Sequence, residues 1–267
     1  MTAVTRWPLE DIWQAVVALL PGFTLEVLPE LDSSNEELMR RLRAGRPEPA
    51  LLVAEHQSAG RGRLGRPWHD STSARGLGSL TFSLGLPLAP RDWSGLSLAV
   101  GLSVAASLHP DILLKWPNDL WWHDRKLAGI LIETANWGNS QGNRYVVVGV
   151  GLNIHCPVAT GLSTEPAGLE ELMAGVDAGQ ALGRIALPLV QTLQTFEQRG
   201  FTYFQDAFNQ RDSLAHVPVT LSDGMHGVAQ GVDGSGALRV QTAQGMQRVT
   251  SSEVSVRPAR GPDYTRL

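Results

Sequence analysis

Residues 56–70, reading HQSAGRGRLGRPWHD, decide between folds. Gly60, Gly62 and Gly65 alternate with Arg61, Arg63 and Arg66, so a permissive backbone carries a concentrated positive charge and can fold over an anion. Behind the apolar run 51–54, Gly60-x-Gly62-x-x-Gly65 matches the letters of the dinucleotide-binding fingerprint. That fingerprint must open a helix whose N-terminus receives the pyrophosphate. Here Pro67, Trp68 and the polar run 69–75 follow without helical periodicity, and no Gly-Lys-Ser/Thr ending is present. Taken alone, the loop also fits a solvated basic surface loop, so the rest of the chain has to decide.

At 267 residues with 43% hydrophobic content, the chain is long enough for two domains. A formal net charge of -4 argues against a broad nucleic-acid-binding face, so the arginines of the loop are a local device. The single Cys156 excludes an intramolecular disulfide, and seven scattered histidines show no zinc spacing. The N-terminal stretch has acidic residues where a signal peptide would be apolar, and no run of eighteen apolar residues occurs, which predicts a cytoplasmic protein without a membrane span.

Working outward, residues 8–20 carry apolar positions at helical spacing, and 25–31 read as a strand. One short helix before the first motif leaves no seat for a helix-turn-helix, so no DNA binding is expected. Ser33 with Glu36, or Ser34 with Glu37, has capping-box spacing; capping explains one serine, while the adjacent hydroxyls with Asn35 also make a small polar recognition site. Beyond the loop, 77–86 read as a strand and 91–108 as a small-residue helix suited to packing on a sheet.

Residues 112–120 (ILLKWPNDL) read as one apolar strand ending in Lys115, Trp116, Asn118 and Asp119. A lysine there needs a partner, which Asp119 or a bound phosphate would supply. A turn at 123–125 leads into 126–133 (KLAGILIE) as the second arm of a hairpin, with Lys126 at its start. Residues 144–154 form a β-rich run whose Gly149 and Gly151 permit close backbone approach and which ends near Asn153. If this strand lies at a sheet edge, it can pair with a second copy as a homodimer. The adjacent His155 and Cys156 diverge on an extended chain, which disfavours a catalytic dyad. Residues 165–174, 181–199 and 201–209 have helical periodicity, with Pro188 as a kink. From His216 onward, short alternating runs between Asp-Gly and Gln-Gly turns predict a small β-barrel, placing a catalytic domain at 1–212 and the barrel at 213–267.

The ordered set LDSSN, HQSAGRGRLGRPW, KWPNDL, KLAGILIE and VVVGVGLNI resembles biotin-protein ligase from about Leu31 to Arg257, in the form without an N-terminal DNA-binding domain. The resemblance implies an α/β (α+β) fold: a mixed-sheet catalytic domain of the biotin/lipoate ligase type followed by an SH3-like barrel. It implies two steps, in which biotin and ATP with Mg²⁺ give biotinyl-5′-AMP and a lysine of a biotin carboxyl carrier protein then takes the acyl group. By resemblance Ser33, Ser34, Asn35, Gln57, Gly60, Arg61, Gly62, Arg63, Lys126 and Gly129 line the biotin site, with Arg61, Arg63 and Lys126 reaching the carboxylate and the adenylate phosphate. Arg66, Trp68, Lys115, Asn118, Asp119, Asn153 and Arg257 belong, with Arg63 and Lys126, to the nucleotide side; Trp68 offers a face to adenine, and Asp119 holds Mg²⁺ or orients Lys115. Lys126, Arg63 and Lys115 are the expected catalytic cations, because a carboxylate attacking an α-phosphate brings two anions together.

Ser34 stands where the family's usual pair has threonine, Pro67 stiffens the loop's exit, and Gly78-Ser79 replaces a common Ala-Asn pair; none of these removes a charge. The competing readings are an acyl-adenylate ligase for lipoate or octanoate, which shares the catalytic fold, and a non-enzymatic biotin sensor. Residues 56–70 are expected to act as a lid over the adenylate, ordering when ligand binds.

Overall fold

The computed structural model describes residues 5–73, 76–136, 144–158, 164–250 and 256–258. Helix α1 (Leu9–Val17) leads into strand β1 (Thr24–Leu31), helix α2 (Ser34–Arg43) and strand β2 (Ala50–Gln57). Two short strands, β3 (Thr72–Ser73) and β4 (Gly76–Leu77), precede β5 (Ser79–Leu88), α3 (Leu96–Leu108), β6 (Leu113–Lys115), β7 (Asp119–Trp122), β8 (Arg125–Asn136) and β9 (Arg144–Asn153). After α4 (Ala178–Arg199) and α5 (Gln205–Asn209) come β10 (Pro218–Leu221), β11 (His226–Val232), β12 (Leu238–Thr242), β13 (Gly245–Val249) and β14 (Val256–Pro258).

The N-terminal part is a seven-stranded mixed sheet in the order β1-β2-β5-β9-β8-β7-β6, in which only the β1/β2 pair is parallel. Strict alternation along β5 and β9 separates its faces. Leu80, Phe82, Leu84 and Leu86 with Val146, Val148, Val150 and Leu152 enter the main core shared with α3 and α4. On the opposite face Leu52, Tyr145 and Val147 pack under Leu38 and Met39 of α2 in a second, smaller cluster. Beyond that cluster the second face turns to serine, threonine, glycine and charged residues along β5, β9, β8 and β7, and the site lies there.

Several elements differ from the sequence expectation. Residues 112–120 are not one strand: β6 and β7 form a hairpin around 116–118, where Pro117 has no amide to donate to a ladder. Residues 165–174 hold only a 3₁₀ turn, Leu169–Glu171, because the segment lies along the start of β8 instead: Lys126 N–H donates to Glu165 O at 2.8 Å and Ala167 N–H to Lys126 O at 2.8 Å. Residues 91–95 stay outside α3, with the amide of Ser94 bound to Asp92 Oδ1 at 2.9 Å in a local turn. Residues 201–209 divide into a 3₁₀ turn, Phe201–Tyr203, and α5. Strand β9 is interior, paired to β5 on one side and β8 on the other, so it has no free edge for a second copy.

The C-terminal part is a five-stranded antiparallel sheet in the order β13-β12-β11-β10-β14, consistent with an SH3-like module. It joins the N-terminal part through shared packing. Val219, Leu221, Ala229, Val232 and Leu238 belong to the main core, and the buried Trp116 donates its indole N–H to Gly236 O at 3.0 Å. Arg211 and Ser213 extend the edge of β6 through two main-chain bonds to Leu114, at 2.8 and 2.9 Å, and the second sheet begins at Pro218. Among the described residues no helix is long and apolar enough to cross a membrane.

Candidate active site

Two lateral rows across the polar face carry the site. Paired neighbours run Ala54, Thr81, Gly151, Gly129, Asp119 and Lys115 across β2, β5, β9, β8, β7 and β6. The next row runs Leu52, Ser83, Gly149 and Leu131. The two glycines of β9 are each covered by a side chain from above: a Cβ at Gly149 would strike the amide of Asn35, and one at Gly151 the indole of Trp68. Helix α2 and the 56–70 loop therefore reach the sheet through the space that these glycines leave.

The uncharged end of the site is built from α2, β2, β5 and β8. Ser33, Ser34 and Asn35 are buried at the start of α2, where Ser33 caps the helix by accepting the amide of Glu36. Ser34 donates both its amide (2.8 Å) and its hydroxyl (3.0 Å) to Gln57 Oε1. Ser83 Oγ lies 2.7 Å from Ser34 Oγ and 2.6 Å from Asn35 Oδ1, while Asn35 Nδ2 donates to Glu133 Oε2 at 2.8 Å. Gln57 Oε1 and Asn35 Oδ1 only accept, so two hydroxyl protons serve three oxygen contacts. The network thus holds more acceptors than donors and presents a lone pair to an N–H group.

At the other end, positive charge gathers around one carboxylate. Lys126 Nζ stands 2.8 Å from Asp119 Oδ1, a close ion pair in which that oxygen lies outside hydrogen-bond alignment. Lys115 faces the Trp121 ring with Nζ 4.7 Å from its centroid, and it feels the charges of Asp119, Lys126, Arg257 and Arg66. Burial lowers the proton affinity of both Lys115 and Arg63, and Asp119 opposes the shift in each case. Arg63 donates to Asn118 Oδ1 at 3.4 Å, and Asn118 Nδ2 binds Ile130 O at 2.9 Å, pinning the β6/β7 turn to β8. Lys115, Lys126, Arg63, Arg66 and Arg257 thus gather positive charge around Asp119, a field that suits an anionic ligand.

The loop itself is a tight hairpin. Trp68 N–H binds Gly60 O at 2.8 Å, Gly62 N–H binds Arg66 O at 2.7 Å, and the tip is a 3₁₀ turn, Arg63–Gly65, with Leu64 and Gly65 both at positive φ. It opens no helix of the dinucleotide-binding kind. Arg63 turns toward the cation cluster, whereas Arg61 pairs with Glu36 of α2 on the far side, with Nη2 2.5 Å from Oε2. Asn153 ties strands rather than facing open space, donating to Ala167 O at 3.1 Å. Trp68 Nε1 is buried with no partner among the described residues. Cys156 and His155 do not form a dyad: the exposed thiol faces Pro166 O at 3.4 Å and partial burial pushes its pKa up, while His155 Nδ1 sits 2.9 Å from Glu170.

Ser83, Glu133 and Asp70 are not among the site residues expected from the sequence, where Glu36 figures only as a helix cap. Ser83 was within reach, since Ser79, Thr81 and Ser83 alternate with apolar residues in β5 and mark a polar face. Glu133 has the same parity as Gly129 in β8. The partners of Glu36 and Asp70 depend on how the loop folds back, which no local pattern states.

Comparisons with known proteins bear on the family and the fold. Residues 28–153 match the model of the biotin/lipoate A/B protein ligase family, and residues 216–257 match the biotin protein ligase C-terminal domain. The chain is 31% identical over 257 residues to the bifunctional ligase/repressor BirA of Escherichia coli, covering 91% of this chain and 77% of that protein. It is 30% identical to the biotin--[acetyl-CoA-carboxylase] ligase of Paracoccus denitrificans, covering 85% of this chain and 98% of that one. A structure of biotin protein ligase from Aquifex aeolicus in complex with biotin and ATP superposes with a TM-score of 0.73 at 27% identity, covering 88% and 99% of the two chains. The chain belongs to the biotin-protein ligase family.

Proposed function

We propose that the chain activates biotin with ATP and passes it to a lysine of a biotin carboxyl carrier protein. The observation that carries this reading is the pairing, on one sheet face, of an acceptor-rich uncharged network with a cation cluster around Asp119. The ureido ring of biotin brings N–H donors, which match the acceptor oxygens left short of hydroxyl protons among Ser34, Ser83, Gln57 and Asn35. Its carboxylate then extends along the glycine floor toward Lys126 and Arg63. There a carboxylate oxygen attacks the α-phosphorus, the bond to the bridging oxygen breaks, and pyrophosphate leaves with the electron pair. Lys126, Lys115 and Arg63 hold the charge that develops on the phosphoryl oxygens, in a site where burial strengthens each interaction. In the second step a neutral acceptor amine attacks the acyl carbon, AMP leaves, and the nitrogen loses a proton.

Trp68 presents an aromatic face and an unpartnered Nε1 donor to the nucleotide. Asp119, whose buried Oδ1 is ion-paired to Lys126, is the carboxylate at the phosphate end that would share its charge with a hard cation arriving with the triphosphate and taking its other ligands from phosphate and water. Mg²⁺ there would neutralise phosphate charge. Among the described residues no group of three or more metal-ligating side chains exists, which fits a metal delivered with substrate rather than a resident one.

A lipoate or octanoate ligase is the second reading, but a dithiolane ring or an alkyl chain has no N–H to give the network. Pyrophosphate–ATP exchange with biotin, lipoate or octanoate as the only acid separates them. Exchange with biotin alone is expected; exchange with lipoate and none with biotin would reject the proposal.

A further inference from the structure

The 56–70 loop leaves the sheet at the end of β2 and returns toward β5, and one carboxylate joins its two arms at the neck. Asp70 Oδ2 accepts the main-chain N–H of Gln57 at 2.7 Å and lies 2.9 Å from Nδ1 of His56. An ionised carboxylate only accepts, so Nδ1 carries the proton in that contact. The Asp70 side chain is 5% exposed, whereas that of His56 is 52% exposed, so the carboxylate is directed inward at the neck. On either side the main chain is already tied down: Ser58 and Ala59 donate to Leu31 O and Asp32 O at 2.8 and 2.9 Å, and Gly78 donates to Ser71 O at 2.8 Å. Asp70 is the side chain seen to bridge these two anchored arms. It grips the same residue, Gln57, whose side-chain oxygen holds Ser34.

We propose that Asp70 is a positioning residue: it closes the neck of the glycine–arginine loop and couples the posture of Arg63 and Trp68 to the acceptor network at Gln57. The functional part of this inference rests on the biotin-ligase reading. A loop whose neck opens would lift Trp68 from Gly151 and withdraw Arg63 from the cation cluster, so an acyl-adenylate would escape before the carrier arrives. Glu36 makes a second anchor farther along the loop by pairing with Arg61, and the neck clamp is independent of it.

The loop contains two tryptic sites, after Arg61 and Arg63, with Pro67 blocking cleavage after Arg66, so limited trypsin digestion of the folded full chain reads its opening without any ligand. Asp70→Ala is expected to raise cleavage there about tenfold, the worth of one charge-assisted hydrogen bond, with an unchanged thermal midpoint. Asp70→Asn, whose amide oxygen still accepts the Gln57 N–H, should return cleavage to near the wild-type rate. In parallel, biotinyl-5′-AMP should leave Asp70→Ala about tenfold faster than wild type. Wild-type cleavage in folded Asp70→Ala, or equal cleavage in the Asn and Ala variants, overturns the clamp. Asp70→Ser, too short to span the neck, repeats the test if the alanine variant does not fold. Cleavage needs no activity, so wild type that makes no biotinyl-adenylate would contradict the functional reading alone.

Discussion

The two faces of the central sheet are written by alternate residues of the same strands, yet they do different work. Along β5, Leu80, Phe82, Leu84 and Leu86 are buried in the main core, while Ser79, Thr81 and Ser83 between them face the site. Along β9, Val146, Val148 and Val150 pack below, while Gly149 and Gly151 admit Asn35 and Trp68 above. Period-two alternation lets one backbone ladder hold a rigid apolar core and a sculpted polar floor with each residue assigned to one of them. Substitutions on the two faces should therefore fail differently.

The largest effect is expected at the charged end of the site. Lys126→Ala should lower adenylate formation by about 10³-fold or more, the cost of removing a preorganised cation, with little change in melting temperature. Near-normal pyrophosphate exchange in that variant would remove Lys126 from the reaction. The opposite face gives the mirror result. Phe82→Ala, at a fully buried position, should cost about 3–5 kcal/mol of stability in denaturant titration while the folded fraction keeps its KM for biotin.

Asp212, at the junction of the two sheets, sharpens the contrast by being a buried charge outside the site. Burial pushes its carboxyl up to about 6, with the Leu214 amide and His216 opposing. Below the ordinary carboxylate range both folded and unfolded states are protonated and nothing is lost. As pH rises toward 6 the unfolded chain ionises first, so stability falls and the penalty is complete above about 6. Asp212→Asn should therefore raise stability by about 1–2 kcal/mol at pH 7.5 and by almost nothing at about pH 2.5, below the unfolded carboxylate's range, read from melting curves. A gain that is the same at both values would break the account. The smallest effect belongs to the loop: Arg63→Gly should speed release of biotinyl-5′-AMP about tenfold and increase labelling of bystander lysines, and an unchanged release rate would leave Arg63 a binding contact only.

The sequence made the site legible where spacing and chemistry coincide. Lys115 was read as needing a partner, and the register places Asp119 opposite it. Trp68, Gly149 and Gly151 were singled out separately, but that the indole rests on Gly151 follows only from how the loop returns over the sheet. Boundaries failed where tertiary pairing overrode periodicity: residues 165–174 have a helical pattern, yet their backbone is claimed by β8. Whether β9 lies at an edge depends on its partners, and β5 and β8 both pair with it, which makes it central. Arg61 shows the same limit, since a charge pattern places it in the loop but cannot say that Glu36 takes its guanidinium.

The most direct test is transfer itself. The purified chain is incubated with ATP, Mg²⁺, a biotin carboxyl carrier domain and an equal mixture of biotin and lipoate, and the intact mass of the carrier is measured. A carrier modified by one biotin at its acceptor lysine is the predicted result; a lipoylated carrier, or an unmodified one with active adenylate formation from lipoate, would contradict it.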